Sequence, residues 1–245
     1  MQTIIDGHLI NYEVLGKKHK NAILMLHGWK RSLNDWSGIA QILSSRYRVF
    51  LIDFPGMGNS SLPNKSFDTY DYAQIISQFI KKLGLKDIVL VGHSFGGKVG
   101  IILASRNRAV KKLILVDASG MDEKSIIVKI KAAISKLVKP IIALIPDSLV
   151  YIVSERLYSE DYKNAGSLKE SFKKIVSQNV EAEAMKINIP TLIIWGDKDK
   201  EVTTKAAKML RSLIKNSTLR IVWNTGHDPF KEKPDKFLRI MEEFV

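Results

Sequence analysis

Cysteine is absent from the chain, which excludes disulfides, thiolate nucleophiles and cysteine-ligated zinc or iron–sulfur centres. Also missing is any uncharged apolar run of the roughly 18 residues needed to span a bilayer, so no stable membrane insertion is expected. Proline and glycine, at 7 and 15 of 245 residues, are too scarce for a fibrous or disordered chain. The segment from Met1 to Ile10 carries Asp6 and His8 and has no apolar stretch between a basic start and a small-residue cleavage site. No secretory signal is read there, and a cytoplasmic location is the expectation. Acidic residues are the minority, 25 against 38 basic, for a net charge of +13. The excess is spread as +8 over residues 1–120, +2 over 121–189 and +3 over the remainder, with no run of five like charges. It reads as lysines on solvated faces, and without a recognisable binding module no nucleic-acid partner is expected.

What is present is an ordinary globular composition, 45% hydrophobic and 26% charged, at a length that suits one large domain with an insertion. Asp6-Gly7 between two short apolar stretches predicts a hairpin over Thr3 to Leu15. Ala22 to Leu26, Tyr47 to Ile52, Ile88 to Val91 and Leu113 to Val116 are apolar runs too short for helices and read as buried strands. Between them, helical spacing marks Asp35 to Ser44, Asp68 to Leu83 and Val99 to Ser105. Strand and helix alternate again after Pro190: Thr191 to Trp195, Thr203 to Leu213, Thr218 to Trp223 and Pro234 to Phe244. This alternation predicts an α/β fold with a mostly parallel sheet covered on both faces. Residues 121–189 break the pattern and read as short helices punctuated by Pro140, Pro146 and Gly166, inserted between strands. The core is therefore expected over 1–120 and 190–245, with 121–189 as the insertion.

One glycine turn carries chemistry. Gly92-His93-Ser94-Phe95-Gly96 satisfies G-x-S-x-G after a strand and before a helix, where a serine on a strained turn presents its hydroxyl and small residues two before and two after let backbone pass closely. A serine hydroxyl needs a base, and the base needs a carboxylate to orient it. Of the five histidines, His227 lies in a loop directly after the last strand and is the candidate base. Three carboxylates compete for the third role: Asp199 and Asp197 in Trp195-Gly196-Asp197-Lys198-Asp199, and Asp117 after an earlier strand. Two backbone N–H groups would complete an oxyanion site, that of Phe95 in the turn and that of Trp29 in His27-Gly28-Trp29.

These residues resemble the α/β-hydrolase superfamily, and within it the small cap-bearing serine hydrolases that include esterases, lactonases, iminopeptidases and carbon–carbon bond hydrolases. The likeness rests on Leu26-His27-Gly28-Trp29, on Asp53-Phe54-Pro55-Gly56-Met57-Gly58-Asn59-Ser60, on Gly92 to Gly97, on Trp195 to Asp199 and on Gly226-His227. It implies an eight-stranded sheet, Ser94 as nucleophile, His227 as base, and Asp199 as the acid, since G-x-x-D after the Trp-Gly pair falls there and not on Asp197. It also implies that 121–189 is a helical cap and that the loop from Asp53 to Ser60 is structural. No cofactor or metal is expected.

The apolar, lysine-interleaved stretch 126–145 is expected to roof an acyl pocket. The substrate is expected to be a small ester or lactone. Glu155, Glu160 and Asp161 keep open an iminopeptidase-like site holding a substrate amino terminus, and a ligand-binding receptor of the same fold is the other alternative. Lys30 and Arg31 follow the His-Gly-aromatic motif and either face water or favour anionic substrate ends.

Overall fold

A computed structural model describes residues 1–121 and 165–245. The chain opens on an antiparallel hairpin, β1 (Gln2–Ile5) and β2 (His8–Leu15), turned by Asp6 and Gly7 at φ of 49° and 78°. Then follow β3 (Ala22–Leu26), α1 (Ser37–Leu43), β4 (Arg48–Ile52), α2 (Thr69–Lys82), β5 (Ile88–His93), α3 (Phe95–Arg106) and β6 (Val110–Val116). After residue 164 come α4 (Lys169–Ser177), α5 (Glu181–Ala184), β7 (Thr191–Gly196), α6 (Thr204–Leu213), β8 (Ser217–Val222), α7 (Pro229–Glu232) and α8 (Pro234–Glu242). The eight strands form one sheet in the order β1-β2-β4-β3-β5-β6-β7-β8, antiparallel up to the β2/β4 pair and parallel from β4 onward. This is the α/β fold expected.

The strands read as continuous apolar runs because both faces are covered. Along β3, Leu24 and Leu26 join the core beneath α2 and α3, while Ile23 and Met25 join a second core beneath α1 and α8. The same alternation places Leu113 and Leu115 of β6 on one side and Ile114 and Val116 on the other. Burying each such side chain stabilises the fold by about 1.5–3 kcal/mol, and alternation doubles the yield by feeding two cores from one strand. Helix α2 is fixed at its start by Asp68, whose carboxylate accepts from the Tyr70 and Asp71 amides while Asp71 accepts from the Asp68 amide.

Two boundaries differ from the sequence reading. Helix α3 begins at Phe95 instead of Val99, because Gly96 and Gly97 are helical. They are glycine for proximity, not for turning: a methyl on Gly96 would lie 2.5 Å from the Leu26 carbonyl oxygen, and one on Gly97 would lie 2.5 Å from the Ala118 methyl. The stretch expected to be helical from Asp35 is a short 3-10 turn over Leu33–Trp36 that passes into α1.

Of the inserted segment, residues 165–189 carry the short helices α4 and α5, preceded by a 3-10 turn at Gly166–Leu168. The rest of it, with Pro140, Pro146, the apolar stretch 126–145 and Glu155, Glu160 and Asp161, lies outside the described residues. Its C-terminal end is fastened to the core by Lys98 of α3, a buried lysine whose Nζ donates to the carbonyls of Ile175 and Gln178, each at 2.5 Å. Among the described residues no helix is long and apolar enough to cross a membrane.

Lys98→Met strands both carbonyls and should cost about 2 kcal/mol, read as a lower urea midpoint. Burial pulls the Lys98 pKa from 10.5 down to about 8. Between those values the unfolded chain binds more protons than the folded one, so this group makes stability rise with pH across that window. The methionine variant should lack that rise.

Candidate active site

The site lies at the carboxyl ends of the central strands, where three loops meet. The first is the turn from β5 into α3. Ser94 stands at φ 50°, ψ −115°, a conformation unfavourable for a side-chain-bearing residue, and is held there by its amide donating to Val116 O at 3.0 Å and its carbonyl accepting from Lys98 and Ser119 at 3.1 Å. Gly92 and Gly96 permit this turn, since a methyl on Gly92 would collide with the Gly96 carbonyl. The Ser94 hydroxyl is partly exposed and has no side-chain hydrogen-bond partner among the described residues.

The second loop, after β3, contains His27, Gly28 and Trp29. His27 is wholly buried; its Nε2 accepts from the Phe54 amide at 3.2 Å and its Nδ1 donates to the Gly28 carbonyl at 2.7 Å. Asp53 anchors the neighbouring loop: its carboxylate accepts from the amides of Leu33 and Asn59 and from the Asn11 side chain at 2.7–2.9 Å. A methyl on Gly58 would overlap that carboxylate, which accounts for the second glycine of the Asp53-to-Ser60 motif. Because Gly96 packs on the Leu26 and His27 carbonyls, the amides of Trp29 and Phe95 are carried by two loops in direct contact, and neither amide finds an acceptor among the described residues. The Trp29 ring packs edge-on to Phe95 at 5.5 Å and against Phe172 of α4 at 5.4 Å. Its Nε1 is buried without a partner.

The third loop carries His227. Its Nδ1 lies 2.8 Å from Asp199 Oδ2, and both side chains are buried. Asp199 Oδ1 accepts from the amides of Glu201 and Val202 at 2.7 and 3.0 Å. Burial alone would raise the Asp199 pKa, but the hydrogen bond and charge of His227 together with the two amides bring it below the ordinary range. An ionised Asp199 only accepts, so the imidazole proton resides on Nδ1 and Nε2 is left free to act as a base. The other sequence candidates fall elsewhere. Asp197 accepts from the Thr225 amide at 3.2 Å and supports the loop. Asp117 is fully buried behind Asp199, with Oδ1 accepting from the Gly196 amide at 2.9 Å. Burial and the neighbouring Asp199 push the Asp117 pKa well up against that one amide, favouring its protonated form.

Donor atoms of Asp117, Asp199 and His227 lie within 4.8 Å of one another, a spacing that also suits a metal ion. The donors are already engaged: Asp199 with two amides and the imidazole, Asp117 Oδ1 with Gly196. Only Asp117 Oδ2 is unpartnered, and one oxygen is too few for a metal site.

Several supports escaped the sequence reading. Arg31 faces neither water nor substrate: it forms a two-pronged pair with Asp228 at 2.5 and 3.0 Å and reaches Asp35 at 3.1 Å. The buried His93 lies 2.8 Å through Nε2 from the His227 carbonyl, its ring 4.7 Å from the His227 ring. Burial, with the nearby His227 and Arg31, holds the His93 pKa well below the ordinary histidine value, so His93 stays neutral and donates from Nε2. Glu232 accepts from the amides of Gly226 and Asp228. Gly196 lets the histidine loop cross, since a methyl there would overlap the Gly226 carbonyl.

A family model for the α/β-hydrolase fold matches residues 21–133. The chain belongs to the α/β-hydrolase superfamily. This hydrolase is 27% identical over 259 residues to human monoacylglycerol lipase ABHD6, covering 93% of the chain and 76% of the relative. The structure of a bacterial membrane phospholipase A superposes with a TM-score of 0.79 at 26% identity, over 100% of this hydrolase and 84% of that chain. The esterase EaEST from Exiguobacterium antarcticum superposes with a TM-score of 0.75 at 25% identity, over 100% and 99%.

Arg31→Met should loosen the histidine loop and destabilise the fold by about 1 kcal/mol at neutral pH, the pair being partly exposed. Burial raises the Asp228 pKa, but Arg31 outweighs it and the net is a lowered value. The pair's contribution is therefore complete above the unfolded aspartate value of about 3.9 and fades as pH falls through the depressed one. Urea unfolding of the two proteins should converge toward acid pH; a constant gap contradicts the pairing.

Proposed function

We propose that this chain hydrolyses carboxylic esters through an acyl-enzyme formed on Ser94. The observation that carries the reading is the 2.8 Å contact between His227 Nδ1 and Asp199 Oδ2, which leaves Nε2 as a base on the side of the sheet where Ser94 is presented on a strained turn. In the first step the Ser94 oxygen bonds to the ester carbonyl carbon while its proton passes to His227 Nε2. The carbonyl electron pair moves onto the oxyanion, which the Trp29 and Phe95 amides receive. Collapse restores the carbonyl, breaks the bond to the alkoxy oxygen and returns the proton from Nε2 to the departing alcohol. Water repeats the sequence on the acyl-serine, releasing the acid and restoring the hydroxyl. Asp199 stabilises the imidazolium in both halves, and Asp117, protonated, avoids adding a second negative charge behind it.

Support for esters over other acyl compounds comes from the relatives, whose names are those of a monoacylglycerol lipase, a phospholipase and an esterase, and from the aromatic wall of Trp29, Phe95 and Phe172, which suits an acyl chain. In this reading 121–189 is a cap over the site, its C-terminal end tied to the nucleophile helix by Lys98.

Hydrolysis of p-nitrophenyl butyrate should fall by at least about 10⁴ in kcat for Ser94→Ala and by about 10⁴ for Asp199→Asn. Asp197→Asn should stay within several-fold of the wild type. Undiminished turnover in Ser94→Ala contradicts the mechanism; a larger loss in Asp197→Asn than in Asp199→Asn contradicts the choice of acid.

A further inference from the structure

Four carboxylates besides Asp117 surround the imidazole of His227 and its loop, and three of them are committed. Asp199 is taken by the imidazole and two amides, Asp228 by Arg31, and Glu232 by the amides of Gly226 and Asp228. The fourth is Glu201. Its amide is fixed on Asp199 Oδ1, so its position follows that of the candidate acid. Its side chain is 62% exposed, and Oε2 lies 3.4 Å from His227 Nε2. Among the described residues, His227 is the one basic side chain within ion-pair distance of that carboxylate.

Nε2 is the atom that hands the proton to the departing alcohol, so the alkoxy oxygen of a bound ester sits within hydrogen-bond reach of it. A carboxylate oxygen 3.4 Å from Nε2 is then beside the leaving group and remote from the acyl chain. A hydrogen-bond donor on the second carbon of the alcohol can reach it, and an anionic group there meets like charge. Resting on the reading of Ser94, His227 and Asp199 given above, we infer that Glu201 selects the leaving group, favouring alcohols that carry a hydroxyl or protonated amine next to the ester carbon and disfavouring anionic ones. The substrate class this defines is esters of polyols or amino alcohols. Because Glu201 is exposed, water competes for its oxygens and the selectivity is modest. A preference of about fivefold corresponds to a partly exposed charge-assisted contact.

The test is a set of butyrate esters sharing one acyl group and differing in the alcohol: ethyl, 2-hydroxyethyl, 2-(dimethylamino)ethyl and 2-carboxyethyl, followed by acid release at constant pH near neutrality. Each kcat/KM is divided by that of the ethyl ester in the same protein, so any general loss of activity or folded fraction cancels. The wild type should favour the hydroxyl and ammonium esters by about fivefold and disfavour the carboxylate ester similarly. Glu201→Gln keeps an acceptor and loses the charge: it should retain the hydroxyl preference and lose the other two. Glu201→Ala should lose all three. A preference for only one of the two donors assigns the leaving group to that donor. Equal ratios in the wild type and Glu201→Ala overturn the inference. That result is distinct from failure of the underlying mechanism, which shows as ester hydrolysis that Ser94→Ala does not diminish.

Discussion

Everything at the site depends on backbone passing backbone at distances that only glycine allows. Gly92 and Gly96 fold the turn around Ser94 back on itself, and Gly96 presses that turn onto the Leu26 and His27 carbonyls. Gly196 admits the histidine loop across the end of β7 in the same way. A β-carbon at any of these positions would separate two of the three loops, and the chemistry requires all three within one hydrogen-bond radius. The unfavourable φ of Ser94 is sustained by this crowding, with its backbone bonded to Val116, Lys98 and Ser119.

Rigidity of the histidine follows from a second layer of polar contacts. The imidazole is oriented from below by Asp199, its carbonyl is held by His93, and the next residue is clamped by Arg31. Glu232 takes the amides on either side of it. The result is an imidazole fixed through its own ring and through the backbone on both sides. The paired aspartates behind it divide the work: Asp199, bonded to donors, favours the charged form, while Asp117, buried with a single amide, favours the neutral one. One negative charge beside the imidazole promotes proton uptake without overcharging the interior.

Local features of this architecture were readable before any coordinates. The alternation of apolar runs with helical periods gave the order of strands and helices, and the glycine motifs marked the loops, because close approach leaves glycine in the sequence at the point of contact. The long-range pairings were not readable. Arg31 and Asp228 are separated by 197 residues, and nothing local distinguishes Arg31 from a solvated basic residue. The choice among Asp199, Asp197 and Asp117 stayed open on the residues alone, since all three end strands in the right region, and only the 2.8 Å contact with His227 separates them in space. Helix α3 was read as starting four residues late because Gly96 and Gly97 look like turn residues when their packing partners Leu26, His27 and Ala118 are not in view. Glu201 left a trace, an acidic residue two after the candidate acid, whose meaning depends on the side its carboxylate faces.

The central claim is that Ser94 is the nucleophile activated by His227. The most direct measurement is covalent labelling with a fluorophosphonate followed by mass spectrometry of the intact protein and its peptides. The account predicts one adduct, on the peptide containing Ser94, forming in the wild type and lost in His227→Ala although Ser94 is still present. Label on a different serine, or labelling of Ser94 at an unchanged rate without His227, would contradict it.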